Sequence, residues 1–405
     1  MPAGTEMAPL AGVVSVVKIL TAAVSLIKLM AVESVTAEEV VPTDAAMAAG
    51  VAESTMQRIS RSEMLHRLRY LDMNRHLHQS YQYNNLMYMV AGVVIERVSG
   101  ESWEDFTRKN IFEPLGMTKS NCSISGLQNS DDHALPYGEI KDKVEIIPYC
   151  NLDAAGPCGS INSNVEEMAK WLTLNMNNGK YKDKQIVSEK SLKEIHSPQM
   201  ISSKSIDSDE LYYSMYGMGW GINQYRNNLM LSHSGSIDGY ASLVSFLPKE
   251  KFGVVVLTNL EGNLIHRTIT YFIFDKYLGL EPVKWNERAR EREAKNRESE
   301  AKSKLKEDSI KVKNTKPSFE LKDYTGEYEN KGYGKVTVKT EGGKLRLYFN
   351  NYFYELEHYH FDVFTAIKED WQDRKKIRFE MNKEGKIIAL HIPFEPSVKD
   401  IVFTK

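Results

Sequence analysis

Two serine–lysine pairs near the N-terminus have the spacing that a nucleophilic serine requires. They are Ser15-Val-Val-Lys18 and Ser25-Leu-Ile-Lys28. A free serine hydroxyl is barely nucleophilic at neutral pH, so it needs a base beside it. On a helix, residues three apart share a face, and the lysine amine then reaches the hydroxyl. Such pairs also occur by chance in solvated helices, so spacing alone does not separate catalysis from coincidence.

Two further patterns supply polar side chains suited to a cleft. Tyr83 and Asn85 stand two apart where a polar turn opens a helix, and His233 precedes Gly235 on a small-residue strand. Glycines in such a strand let a substrate backbone lie close to the protein. The alternatives are structural: Tyr83 as an aromatic at a helix start, Asn85 as a helix N-cap and His233 as a surface turn residue.

Helices and strands are predicted around each pattern. Residues 13–32 form a helix by length and composition, and a second helix runs from the Tyr-Asn-Asn turn to Gly100, its C-cap. Residues 241–248 and 252–259 predict two antiparallel strands directly after the histidine stretch. Further helices are predicted over 62–68, 103–110, 164–177, 188–195 and 263–278, and a strand is predicted to begin at Tyr216.

Composition excludes several function classes. The 405 residues carry a formal net charge of −2, with 42% apolar and 26% charged residues, which gives no reason to expect nucleic acid as a partner. Cys122, Cys150 and Cys158 lack the spacing of a metal site, and no metal or cofactor is expected. Three cysteines cannot all pair with one another, which favours free thiols in a reducing compartment. Residues 9–32 are apolar but contain two lysines, which favours a buried helix over a membrane anchor. A cytoplasmic location is the expectation.

The C-terminal part of the chain has a different pattern. Residues 284–316 are dense in both charges and predict a solvated helical linker. Short alternating strands follow, with glycine turns at 342–343 and 384–385, and predict a small antiparallel barrel or sandwich. These strands are predicted over 335–339, 344–349, 353–356, 361–364, 377–380, 387–390 and 401–403.

Taken in order, Ser15-Val-Val-Lys18, Tyr83-Asn-Asn85 and His233-Ser-Gly235 resemble the three motifs of the serine β-lactamase and penicillin-binding-protein superfamily. The chain is most similar to the class C β-lactamase-like branch of esterases, D-aminopeptidases and carboxypeptidases. Supporting stretches are 83–92, 95–100, 111–117, 216–220, 247–248 and 256–259. The last strands are similar to the lipocalin-like domain that often follows this catalytic domain.

The resemblance implies an α+β fold in which an antiparallel sheet flanked by helices precedes a small β-barrel. It implies a β-lactamase-like domain over 1–283, a charged helical linker over 284–317 and a lipocalin-like barrel over 318–405. It also selects Ser15 over Ser25, because Thr-Ala follows the first pair in the family's manner. Few residues precede Ser15, so a shortened N-terminus is expected.

The resemblance also implies roles in acyl transfer. Ser15 would attack an ester, amide or lactam carbonyl. Either Lys18 or Tyr83 would be the base, and Tyr83 would relay the proton to the leaving group. Asn85 would orient Lys18 and bind the substrate amide. The N–H groups of Ser15 and Ser236, the latter next to Gly235, would form the oxyanion hole.

Histidine in place of the family's usual lysine disfavours carboxylate-bearing substrates, because His233 is mostly neutral at pH 7. The expected partners are therefore small esters, amides or peptides, with no membrane and with a homo-oligomer left open. The main alternative is a catalytically impaired, truncated homologue that acts by binding or assembly. A membrane-anchored protein that uses residues 9–32 is the third.

Overall fold

The computed structural model describes residues 59–73, 76, 79–140, 143–203, 210–260, 262–350, 352–368, 373–394 and 398–405. Ser15, Lys18, Ser25, Lys28 and the apolar stretch 9–32 lie outside these residues. The described helices are α1 Arg61–Arg67, α2 Asn85–Ser99, α3 Trp103–Thr107, α4 Ile124–Gln128, α5 Val165–Met176, α6 Glu189–Ile195, α7 Ile265–Tyr277 and α8 Trp285–Ile310. A π-helical turn (Arg108–Phe112) and a helical turn (Glu113–Leu115) follow α3, and 3₁₀ turns span Leu68–Tyr70, Asp153–Cys158 and Leu321–Tyr324.

A six-stranded antiparallel sheet is the centre of the first part of the chain. Its strands lie in the order β10-β9-β8-β7-β6-β5, a meander in which chain neighbours are also sheet neighbours. Two small hairpins, β1–β2 and β3–β4, lie outside it. The strands are β1 Tyr137–Ile140, β2 Lys143–Ile146, β3 Lys180–Tyr181, β4 Lys184–Gln185, β5 Met200–Ser203, β6 Leu211–Tyr216, β7 Gly221–Tyr225, β8 Asn228–Ile237, β9 Tyr240–Leu247 and β10 Phe252–Thr258.

Helices cover both faces of this sheet. Successive side chains of a strand point to opposite faces, and both faces have apolar side chains that pack against helices. On one face, Leu231, Val244 and Phe246 pack with Trp171 and Leu172 of α5. On the other, a second cluster contains Met230, Leu247, Val254 and Phe274 of α7. The predicted α+β architecture, an antiparallel sheet flanked by helices, is confirmed.

Local details differ from the expectations at two points. The first helix is capped by Ser60, whose hydroxyl accepts from the Glu63 N–H, and it begins at Arg61 rather than Ser62. Tyr216 ends β6 instead of beginning a strand, and the next strand starts at Gly221 after a turn. The second helix follows its prediction closely: it ends at Ser99, and Gly100 adopts φ of 72° as the cap.

One histidine in the sheet–helix core makes stability depend on pH. His196 packs against Trp220 and Phe246, and its Nε2 lies 3.0 Å from Asn175 Oδ1. Burial disfavours the charged ring and lowers the pKa of His196 to about 4. Between pH 6.5 and 4 the unfolded chain binds more protons than the folded chain. The stability provided by the buried, neutral His196 ring is therefore complete above pH 6.5 and is lost as pH falls towards 4.

We therefore expect His196→Gln to remove part of the acid sensitivity. Between pH 7.5 and 4.5, the free energy of unfolding of the wild type should fall by about 2–3 kcal/mol more than that of the variant. Urea unfolding at the two pH values measures this difference. Equal pH dependence in both proteins would show that His196 titrates normally.

The last part of the chain is a closed, eight-stranded antiparallel barrel that follows α8. Pairing of Glu329 in β11 with Thr404 in β18 closes it. This confirms the predicted small barrel and adds a strand, β11, that the sequence pattern did not indicate. The strands are β11 Gly326–Asn330, β12 Gly334–Glu341, β13 Lys344–Phe349, β14 Tyr352–His360, β15 Val363–Lys368, β16 Asp373–Met381, β17 Ile387–Ile392 and β18 Ile401–Thr404.

Helix α8 connects the two parts and is exposed along most of its length. At its start, Trp285 is buried and donates from Nε1 to Asp275 Oδ2 at 2.6 Å. Near its end, the Tyr359 hydroxyl of the barrel donates to the Glu307 carbonyl. Both ends of the helix are therefore held by packed residues. Within the described residues, no helix is both long enough and apolar enough to cross a membrane.

Candidate active site

A cleft of about 1780 Å³ opens between the start of α2, the second half of β8 and the Asp153–Cys158 turn. Its lining contains five of the seven predicted site residues: Tyr83, Asn85, His233, Gly235 and Ser236. Residues separated by about 150 positions in the chain are thus brought to one concave surface, which is where small-molecule sites are usually found. The other two predicted residues, Ser15 and Lys18, lie outside the described residues.

The start of α2 decides which asparagine faces the cleft. Asn84 is the N-cap, and its Oδ1 accepts from the N–H groups of Leu86 at 2.9 Å and Met87 at 3.4 Å. Asn85 is the first helical residue and lines the cleft. The alternative interpretation of Asn85 as the cap is therefore wrong.

Strand β8 offers a free edge where the histidine motif lies. Its pairing with β7 stops at Ser232, opposite Gly221, whereas pairing with β9 continues to Ile237. Within the described residues, the segment 233–237 is therefore paired on one side only. Gly235 and Ser236 are exposed there. Unpaired backbone N–H and C=O groups at a strand edge can bind an extended substrate or a carbonyl oxygen.

A chain of hydrogen bonds that the sequence did not reveal holds His233. The Tyr216 hydroxyl lies 3.0 Å from His233 Nε2 and 2.9 Å from the Tyr88 hydroxyl. These contacts tie the His233 ring to α2, which contains Tyr88, and to the end of β6, which contains Tyr216.

Burial sets the protonation of the cleft's titratable groups. Desolvation lowers the pKa of His233 below its ordinary value, so the ring is neutral at physiological pH. Desolvation, with Tyr88 nearby, raises the pKa of Tyr83 well above its ordinary value, so its phenol is protonated. The two rings lie 6.2 Å apart between centroids, and the Tyr83 side chain remains 39% exposed to the cleft.

The turn that forms the cleft floor is anchored by a single cation. Arg61 donates from Nε to the Ala154 carbonyl at 3.1 Å and from Nη2 to the Asp153 carbonyl at 3.2 Å. The same guanidinium pairs with Glu96 and, at 2.6 Å, with Glu104. This largely buried network ties α1, α2 and α3 to the floor and limits its movement. No group of three metal-ligating side chains occurs among the described residues.

The chain belongs to the Beta-lactamase family, whose sequence model matches residues 13–277. A second model, a domain of unknown function designated DUF3471, matches residues 311–405 and thus includes every barrel strand. These matches, with the observed fold, confirm the superfamily that the motifs resemble, and the barrel fits the lipocalin-like domain of the resemblance.

Curated relatives are about a quarter identical to this chain over the regions that match. An unguisins hydrolase of Aspergillus campestris is 24% identical over 295 residues, which span 71% of this chain and 54% of the relative. Protein flp of Staphylococcus aureus is 24% identical over 196 residues, 48% of this chain and 36% of the relative. The matched region is thus about half the length of the relatives or less. The octameric penicillin-binding protein homologue from Pyrococcus abyssi shares the fold, with a TM-score of 0.54, 20% identity and coverage of 98% of this chain and 88% of that one.

Proposed function

We propose that this protein is a serine hydrolase that forms an acyl-enzyme with small ester, amide or peptide substrates. The observation that carries the proposal is the convergence of Tyr83, Asn85 and His233 on one cleft, beside the free edge of β8. The family match begins at residue 13, two residues before Ser15, which supports Ser15 as the nucleophile. A hydrolase among the named relatives supports the reaction class.

In the proposed reaction, Ser15 Oγ bonds to the substrate carbonyl carbon and loses its proton to the Lys18 amine. As the bond from the carbonyl carbon to the leaving group breaks, Tyr83 gives its proton to the departing alkoxide or amine and takes the serine proton back from the Lys18 ammonium. The raised pKa of Tyr83 supports a neutral phenol that relays protons rather than a standing phenolate. Water attacks the acyl-enzyme by the reverse route and regenerates Ser15.

In the proposed reaction, the edge of β8 helps to stabilise the negative charge that develops on the carbonyl oxygen of the substrate. The N–H groups of Ser15 and Ser236 would stabilise the oxyanion, and loss of one such donor costs about 2.7–4 kcal/mol of barrier. Asn85 would bind the substrate amide. A neutral His233 supplies no fixed positive charge, which supports substrates without an essential carboxylate.

Labelling with a fluorophosphonate or a fluorescent penicillin, followed by peptide mapping, tests the proposal. We expect one labelled peptide containing Ser15, with labelling lost in Ser15→Ala and retained in Ser25→Ala. The second serine–lysine pair provides the matched control, because it has the same spacing. A folded wild type that takes up neither probe would favour the alternative, a binding or assembly protein, and labelling at Ser25 would reverse the choice of nucleophile.

A further inference from the structure

The interior of the C-terminal barrel is filled by its own side chains. Aromatic rings occupy it, and every one of them is at most 9% exposed: Tyr324, Tyr328, Tyr333, Phe349, Tyr354, Phe364, Phe379, Phe394 and Phe403. A close-packed barrel of eight strands holds side chains rather than a ligand. Any effect of the barrel on the rest of the chain must therefore come from its outer surface.

One hairpin of the barrel contacts the first part of the chain. It joins β11 to β12 over residues 330–334 and is held rigid by Asn330, whose Oδ1 accepts from the N–H groups of Gly332 at 2.8 Å and Tyr333 at 3.0 Å. Gly334 adopts φ of 88°, which a residue with a side chain rarely does. We refer to residues 330–334 as the docking hairpin.

The docking hairpin lies so close to the end of α1 and to Leu71 that a side chain at Gly332 or Gly334 would force its neighbour to move. A Cβ on Gly332 would lie 2.5 Å from Leu71 Cδ2, and a Cβ on Gly334 would lie 2.7 Å from Arg67 Nη1. Beside these contacts, Tyr333 and Leu86 line the same small void of about 20 Å³. Leu86 directly follows Asn85, and its N–H is one of the two that Asn84 caps.

Leu71 links the barrel to the floor of the cleft. It packs against the aromatic core of the barrel and also against the cluster formed by α1, α2 and the cleft turn. That second cluster includes Leu86, Leu152 and Ala155. Packed side chains therefore connect the docking hairpin to the start of α2, next to Tyr83 and Asn85.

We propose that the barrel, through its docking hairpin, is a positioning element for the catalytic cleft: contact of Gly332 with Leu71 fixes the start of α2. This role deepens the proposed function and rests on it for its kinetic consequences. It assigns a purpose to a domain whose family is designated as of unknown function. Gly332 and Leu71 are positioning residues and contact no substrate.

A size exchange across this contact tests the proposal. Gly332→Val forces Leu71 away, and a displacement of about 1 Å at catalytic groups costs up to about 10²-fold in rate, so we expect kcat to fall roughly 10- to 100-fold with KM within about twofold. The double variant Gly332→Val/Leu71→Ala regains the space and should return kcat to within about threefold of wild type. Lys383→Val is the control, since it places the same side chain in another barrel hairpin, at an exposed position whose backbone φ is not positive.

Hydrogen exchange of a peptide covering residues 84–90 gives a readout that does not need turnover. We expect about tenfold faster exchange in Gly332→Val than in wild type or Lys383→Val, and recovery in the double variant. Unchanged exchange and unchanged kcat in a folded Gly332→Val protein would overturn the positioning role. A wild type without hydrolase activity would instead refute the proposed function and leave the exchange comparison to decide this inference.

Discussion

Replacement of Tyr83 by phenylalanine should lower kcat/KM by about 10²- to 10⁴-fold, the usual contribution of a positioned proton-transfer group. The ring would keep its place, because its contacts with Tyr88, Tyr216 and His233 are between aromatic faces and edges. Only the hydroxyl is lost, so the folded state should be unaffected. Steady-state kinetics on an activated ester, with stability followed by urea unfolding, measure both quantities.

Tyr81→Phe is the control for this prediction. Tyr81 belongs to the same aromatic group, with its ring 5.4 Å from that of Tyr216, but it stands outside the Tyr-x-Asn pattern. We expect its variant to keep kcat/KM within about threefold. Equal losses in the two variants would mean that the cleft responds to general disturbance of the aromatic group, and a fully active Tyr83→Phe would remove Tyr83 from the mechanism.

Replacement of Asp275 by alanine should lower the free energy of unfolding by about 3–5 kcal/mol. Its carboxylate is almost completely buried and accepts from Tyr225 at 2.6 Å, Arg226 at 2.7 Å and Trp285 at 2.6 Å. Alanine would leave a largely buried cation and two buried polar groups with fewer partners, which costs more than the pair contributes.

Urea unfolding of three variants checks this expectation. Asp275→Asn keeps one acceptor oxygen, which can serve Tyr225 and Arg226, and loses the acceptor for Trp285, so it should lose less than the alanine variant. Glu287→Ala, which removes an exposed ion pair with Lys284, should change stability by no more than about 0.5 kcal/mol. A loss below about 1 kcal/mol for Asp275→Ala would show that the site rearranges to satisfy its donors.

Sequence patterns predicted the parts of the site that depend on local chemistry. A polar turn before an apolar helix located Tyr83 and Asn85, and small residues in a β-rich stretch located His233. The structural alternative took Asn85 as the cap and was wrong, because two adjacent asparagines have the same capping chemistry and residue type does not choose between them. Their separate roles follow from backbone geometry at the first turn.

Tyr216 and Tyr88 were not predicted as site residues because their roles depend on tertiary structure. Their hydroxyls meet across 128 positions of the chain, and only the placement of α2 against the end of β6 brings them together. Tyr216 stood in a stretch that resembles the family, which was a signal, but its partner was not visible in sequence. Similarly, the free edge of β8 depends on where β7 begins, at Gly221.

The charged helix α8 has a consequence for how the barrel is held in place. Helix α8 is fastened at Trp285 and near Glu307. It therefore holds the docking hairpin of the barrel beside Leu71 at an effective concentration on the order of millimolar or above. A contact as small as that of the docking hairpin then suffices to keep the barrel docked. A barrel supplied as a separate chain would have to bind from dilute solution, where the same contact would leave it mostly dissociated.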